Sequence, residues 1–260
     1  MAVDAGKWAD HLLDAEARRT AVTPISETEP TITLEDAYAI QDELLARRLA
    51  RGERLVGAKV GLTSRAKQQA MGVAEPVYGW LTDAMAHPAE APLPLGTLIH
   101  PRVEPEVVFL LGADLAGPGV TAQDVLAATA AVCCGLEVID SRYEEFRFTL
   151  PDVVADNTSA ARFVLGPRRL APAGLDLSLV GCLLEDGPDL VATAAGAAVV
   201  GHPAESVALL ANHLGRRGRR LEAGWVVLSG GLTDAVRLAP GSHVSATFGH
   251  LGRVGVRAIA

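Results

Sequence analysis

The sequence predicts a mixed α+β fold, a β-roll or sandwich with flanking helices and a helical N-terminal segment. Three observations predict it. The first fifty residues carry apolar side chains at helical spacing. From Tyr78 onward the apolar runs are short and cut by Pro and Gly. Strands and helices do not alternate regularly, which disfavours a doubly wound sheet. We expect one structural unit, with residues 1–54 as a helical segment packed on a β-rich domain over residues 55–260.

Residues 4–19 read as a helix with Trp8, Leu12 and Leu13 on one side, and Pro24 and Pro30 mark the loop that follows. Thr33 and Asp36 form a capping-box pattern ahead of the stripe Leu34, Ala37, Tyr38, Leu44 and Leu45, and Gly52 ends that helix. A strand is expected over 55–61, then a short helix over 64–71. Further strands are expected over 102–111, 131–139, 161–165, 178–185, 190–195, 225–229, 243–248 and 253–258. Helices are expected over 124–130 and from Pro203 to about Leu214, with proline in the first turn, where a missing N–H costs nothing.

Composition excludes several classes. Nearly half of the 260 residues are apolar, ample for a core, and the net charge is −8. The basic block Arg216-Arg217-Gly218-Arg219-Arg220 reads as a solvated helix end, so nucleic acid is not expected as a partner. No apolar run reaches the roughly 18 residues a membrane span needs. The N-terminus carries Asp4, Lys7, Asp10, Asp14 and Glu16, unlike a signal peptide. Cys133, Cys134 and Cys182 read as reduced core thiols of a cytoplasmic protein, and the absence of CxxC argues against structural zinc. There is no GxSxG, HExxH, P-loop or GxGxxG after a strand.

The chemistry concentrates in acids on apolar strands. Glu104-Pro105-Glu106 lies in the run from Val103 to Leu111, and period-2 alternation turns both carboxylates to one face. Glu137 lies in a second such run, Cys134 to Ile139. If the two strands are neighbours, three carboxylates converge, and such a cluster needs a cation or must take up protons. A hard divalent ion with open positions for substrate oxygens suits it. The alternative is a half-exposed polar face with Glu137 paired to an arginine. A glycosidase-like pair fits poorly, because few aromatics are present to stack a sugar.

Lysine is scarce: Lys7, Lys59 and Lys67 stand against 20 arginines. Lys59, between Ala58 and Val60, is placed either to bind a carboxylate or move a proton, or to snorkel to the surface.

Ordered motifs run along the chain: Lys59-Val60-Gly61-Leu62-Thr63-Ser64, Met71-Gly72-Val73, Tyr78-Gly79, Glu104-Pro105-Glu106, Glu137-Val138-Ile139-Asp140-Ser141-Arg142-Tyr143, Ala155-Asp156-Asn157-Thr158-Ser159 and Ser229-Gly230-Gly231-Leu232-Thr233. The chain thereby resembles the 4-oxalocrotonate decarboxylase and 2-oxopent-4-enoate hydratase family of the fumarylacetoacetate hydrolase superfamily, from about Thr33 to the C-terminus. The resemblance implies a fumarylacetoacetate-hydrolase-like fold and a magnesium or manganese ion on Glu104, Glu106 and Glu137. It implies that Lys59 is an active-site lysine, and that Leu62, Val77, Ser159, Gly231 and Thr233 lie near the substrate. Asp140, Arg142 and Tyr143 would anchor the metal site from below or serve an interface.

The family's hydratases read Pro-Asp-Phe-Gly or similar where this chain has Pro76-Val77-Tyr78-Gly79. Val77 delivers neither water nor a proton, and Glu75 faces the other way on an extended segment. The resemblance therefore implies a decarboxylase of the dicarboxylate keto acid 2-oxo-3-hexenedioate (4-oxalocrotonate), in the meta-cleavage degradation of aromatic compounds. Hydration of 2-hydroxypenta-2,4-dienoate is the alternative. A carbon–carbon hydrolase is disfavoured, because no His-Glu pair lies near the glutamates. The family also implies a homo-oligomer and association with the hydratase of the same pathway.

Overall fold

A computed structural model describes residues 3–63 and 76–260. The helix expected over 64–71, the Met71-Gly72-Val73 motif and Glu75 lie outside the described residues. At the N-terminus, α1 (Ala5–Arg18) is capped by Asp4, which accepts from the Lys7 amide at 3.0 Å. A four-residue turn of helix, α2 (Ile25–Thr28), leads to α3 (Leu34–Ala50). The α3 capping box forms: Thr33 N donates to Asp36 Oδ2 at 3.0 Å, and Asp36 N donates to Thr33 Oγ1 at 3.1 Å. Of the expected stripes, Trp8, Leu12 and Leu13 on α1 and Ala37, Tyr38, Leu44 and Leu45 on α3 are buried, whereas Leu34, at the first position of α3, is exposed; the two helices pack together. Gly52 takes φ +95° after α3, a conformation that glycine adopts freely.

The strands are β1 (Leu55–Gly61), β2 (Val77–Thr82), β3 (Ala86–His87), β4 (Pro92–Pro94), β5 (Arg102–Leu111), β6 (Thr129–Ile139), β7 (Ala160–Leu165), β8 (Gly181–Asp186), β9 (Asp189–Ala195), β10 (Val226–Leu228), β11 (Val236–Arg237), β12 (His243–Phe248) and β13 (Gly252–Ile259). Between them lie the helices α4 (Ala122–Ala128), α5 (Leu150–Ala155) and α6 (Pro203–Arg216). A large mixed sheet runs β2-β1-β10-β5-β6-β7-β3, with β11 also on β5; a second runs β4-β13-β12-β8-β9. Strands β12 and β13 pack over β6, and β13 also meets β7. The result is a mixed α+β architecture with a curled sheet, flanking helices and a helical N-terminal segment.

Two elements differ from their expected bounds. The strand expected over 178–185 begins only at Gly181, because Asp176 accepts from Ser178 N at 3.0 Å and holds a 3-10 turn over Leu177–Leu179. The helix expected over 124–130 is α4, which starts earlier at a Thr121/Asp124 capping box; Thr129 already belongs to β6.

Strand β5 is central, yet it contains Pro105. The strand carries β6 on one side, while β10 covers Val108–Leu110 and β11 covers Arg102–Val103 on the other. Pro105 falls in the gap between β10 and β11, where its carbonyl accepts from Leu232 N at 2.9 Å. The ladder therefore loses no bond to the missing N–H, and the gap admits the Gly230-Gly231 loop.

The basic block at the end of α6 is tied to acids of other elements. Arg217 pairs with Glu35 at 2.9 Å, Arg219 with Asp42 at 3.0 Å and Arg220 with Asp114 at 3.2 Å.

Candidate active site

Strands β5 and β6 are antiparallel neighbours, with Glu104 directly opposite Glu137. One oxygen each from Glu104, Glu106 and Glu137 lies within 4.8 Å of the others, and all three residues are buried. Lys59, on β1, is buried as well; its Nζ lies 3.0 Å from Glu137 Oε2. Glu106 Oε2 accepts from Gly230 N at 2.6 Å.

The electrostatics are unbalanced. Glu106 Oε1 and Glu137 Oε1 are buried with no hydrogen-bond partner among the described residues. Burial pushes Glu106 well above the ordinary carboxylate range and repulsion from Glu137 adds to it, while the Lys59 charge and the Gly230 amide pull the other way. Glu137 is raised for the same first reason and lowered by Lys59. Among the described residues, the one ammonium paired to this cluster is that of Lys59, bound to Glu137. Orphaned buried oxygens, an all-oxygen donor set and converging carboxylates fit a hard divalent cation.

The glycine loop serves the acids by lacking side chains. A Cβ on Gly231 would stand 2.7 Å from Glu104 Cδ, and one on Gly230 would stand 2.3 Å from Thr63 Oγ1. Thr233 lies at the far end of that loop, where its hydroxyl donates to the Asp234 carbonyl at 2.9 Å.

A cavity of about 290 Å³ opens above Lys59 and Glu104. Leu62, Thr158 and Ser159 line it, as do Arg102, Phe146 and Asp234. Of the residues expected near substrate, Leu62 and Ser159 thus face the cavity. Gly231 touches Glu104 instead, and neither Thr233 nor Val77 is on the cavity wall. Val77 is buried behind it: a Cβ on Gly61 would lie 3.4 Å from Val77 Cγ2, 2.5 Å from Thr158 Cγ2 and 3.8 Å from Lys59 Nζ. The valine methyl and the lysine ammonium therefore flank one point.

Ser159 and Thr158 reach the cavity from an unusual turn. Asn157, Thr158 and Ser159 have φ of +49°, +52° and +58°. Left-handed geometry costs roughly 1–2 kcal/mol per non-glycine residue, so other contacts must hold the turn. Asn157 Oδ1 accepts from Trp80 N at 2.7 Å and Asn157 Nδ2 donates to the Trp80 carbonyl at 2.9 Å. Thr158 Oγ1 donates to the Tyr78 carbonyl at 2.7 Å. The turn can approach because Gly79 has no Cβ, which would lie 2.5 Å from the Asn157 carbonyl oxygen.

Below the site, Arg142 forms a buried ion pair with Asp156 and donates to the Asp140 carbonyl at 2.8 Å. Burial raises the Asp156 carboxyl to about 6 against the pull of Arg142. Asp140 accepts from the amides of Ile99 and His100, both at 2.8 Å, and so fixes the approach to β5.

Arg102, Phe146, Phe148, Val153, Asp234 and Ala235 are the lining residues that none of the sequence motifs contains. One signal pointed to Arg102: it precedes Glu104 by two positions and shares its strand face.

No family model matches the chain. It is 44% identical over 251 residues to the 4-oxalocrotonate decarboxylase of Pseudomonas sp. (strain CF600), covering 96% of this chain and 95% of that one. It is 46% identical over 210 residues to a 2-hydroxypent-2,4-dienoate hydratase of Pseudomonas putida, covering 80% of this chain and 95% of the relative. Among solved structures, the 4-oxalocrotonate decarboxylase of Pseudomonas putida G7, complexed with magnesium and adipate, superposes with a TM-score of 0.96 at 42% identity, covering 98% of this chain and 97% of that one.

Proposed function

The chain belongs to the 4-oxalocrotonate decarboxylase and 2-oxopent-4-enoate hydratase family of the fumarylacetoacetate hydrolase superfamily, and on that premise we propose that it decarboxylates 2-oxo-3-hexenedioate. The products are carbon dioxide and 2-hydroxypenta-2,4-dienoate. The observation that carries this reading is Val77 beside Lys59, at the position where the family's hydratases bear an acid.

In the reaction, the bond between the distal carboxylate carbon and its neighbour breaks. Its electron pair passes through the carbon–carbon double bond to the keto oxygen, which then takes up a proton. Glu104, Glu106 and Glu137 would hold magnesium or manganese, which supplies Lewis acidity toward negative charge developing on that oxygen.

Lys59 places a fixed positive charge at the cavity floor, 3.0 Å from Glu137, where it orients the anionic substrate or hands over the proton. Val77 and Thr158 put methyl groups near that ammonium, so beyond its Glu137 partner no second carboxylate from those positions competes for it or delivers water there. The Thr158 hydroxyl is spent on the Tyr78 carbonyl. Ser159 lines the cavity, and its hydroxyl donates only a long hydrogen bond, 3.5 Å to Asp156 Oδ2, which a substrate oxygen would replace.

The hydratase is the second reading, favoured by the 46% identity to a hydratase. Trapping carbon dioxide while following the ultraviolet absorbance of 2-oxo-3-hexenedioate separates the two. We expect magnesium-dependent carbon dioxide release that a chelator abolishes. Hydration of 2-hydroxypenta-2,4-dienoate without carbon dioxide release from the diacid would favour the second reading.

A further inference from the structure

Among the described residues, Arg102 is a cation without an anion. It is half-buried at the start of β5 and lines the cavity that Lys59 and Glu104 floor. Among the described residues its guanidinium has no ion pair; its one recorded partner is the Phe146 ring, with Cζ 4.1 Å from the ring centroid. The structure supplies that ring at a cost, because Glu145 and Phe146 have φ of +55° and +57°. Strained residues that hold an aromatic face against a charge fix the direction of its N–H fork.

A second arginine stands beside it. In the β5–β11 ladder Arg237 is directly opposite Arg102, so the two side chains leave the same face of the sheet. Like charges directly opposite destabilise a strand pair. Arg237 is exposed and, among the described residues, has no ion pair either. Asp234 opens onto the same cavity but pairs with neither. An arginine on the cavity wall with a second arginine opposite it, neither in an ion pair among the described residues, makes a place for an anion, and the planar fork of arginine suits a carboxylate.

The spacing names the anion. Glu104 and Arg102 are two residues apart on one strand face, about 7 Å along the chain. The cavity wall also carries the apolar side chains of Ile139, Phe148 and Val153, with Ile139 directly opposite Arg102 on β6. A keto acid seated by its 2-oxo-carboxylate end at the carboxylate cluster would pass its carbon chain along that wall. A six-carbon chain then brings a second carboxylate to the guanidinium.

We infer that Arg102, with Arg237 opposite it on β11, binds the far carboxylate of the substrate and makes the site select dicarboxylates over monocarboxylates. The inference rests on the decarboxylase reading and deepens it, since the hydratase substrate has no far carboxylate. Arg102 contributes selection rather than rate: its charge also stabilises the anion that must be lost, so its effect belongs to binding.

The test compares 2-oxohexanedioate with 2-oxohexanoate, unreactive acids that differ by the far carboxylate alone, by calorimetric titration of the magnesium-loaded protein. The wild type should bind the diacid about tenfold or more tightly than the monoacid. Arg102→Met, which keeps an apolar stem against Phe146, should bring that ratio close to one while monoacid affinity stays within about twofold. Arg102→Lys should keep part of the preference, and Arg237→Gln should lower it with less effect. An undiminished preference in Arg102→Met would overturn the inference, as would an equal loss of both acids, which marks a structural role. A wild type that binds neither acid would instead overturn the functional reading beneath it. A wild type that binds both equally would refute the selection alone.

Discussion

Glu106 and Glu137 are each fully buried, and each keeps an oxygen that no described donor satisfies. A carboxylate in that state is costly unless a cation or a proton joins it. Glu106→Gln should therefore weaken manganese binding by on the order of 100-fold. It should also raise the melting temperature of the chelator-treated protein, because it removes a buried charge; calorimetry checks both. Val77→Asp would put a carboxylate next to the Lys59 ammonium. We expect kcat for decarboxylation to fall by about tenfold or more, with metal affinity unchanged. An undiminished kcat would remove the role given to Val77. The three glutamates and Lys59 were legible in the sequence because charge in an apolar strand is conspicuous. Arg102 was not singled out, because arginines are common here and its lack of a partner appears only in three dimensions.

Among the elements, the Asn157–Ser159 turn is the one whose conformation the sequence conceals. Three left-handed residues in a row, one of them β-branched, carry no local signal. They persist because Asn157 imitates a strand against the Trp80 backbone and because Gly61 and Gly79 leave room. Asn157→Ala should lose about 2–4 kcal/mol of stability in urea titration, from two broken hydrogen bonds and an unsuited backbone conformation. Gly61→Ala should push the turn away, since its Cβ would meet Thr158 Cγ2 at 2.5 Å. Activity should drop, and Thr158→Ser should restore part of it in the double variant by removing that methyl. A Gly61→Ala protein with wild-type kcat would show that the turn's position does not matter. Strands with long apolar runs were legible to their ends, as β1, β5 and β12 were. The two- and three-residue strands β3, β4 and β11 were not, since their pairing comes from neighbours rather than from pattern.

For the whole molecule, metal, proton and fold are linked. Glu106 and Glu137 have folded values raised above the ordinary 4.5. The native state therefore binds more protons than the unfolded state over the pH range above 4.5. Stability of the metal-free protein should accordingly fall as pH rises through that range. A divalent ion replaces those protons, so its stabilising effect should grow with pH and its binding should release protons. Melting curves with magnesium and with chelator, at mildly acidic and mildly alkaline pH, check the sign: the gap between them should widen toward alkaline pH. The mixed α+β class was legible because the apolar period changes along the chain, whereas the division of strands between two sheets depends on pairings distant in sequence. The central claim is that Glu104, Glu106 and Glu137 share one dication. Titrating the metal-free protein with manganese, followed by electron paramagnetic resonance, tests it most directly. One bound ion per chain in the wild type, lost in both Glu106→Gln and Glu137→Gln, is the predicted result; a wild type that binds none, or variants that bind as well as it does, would contradict it.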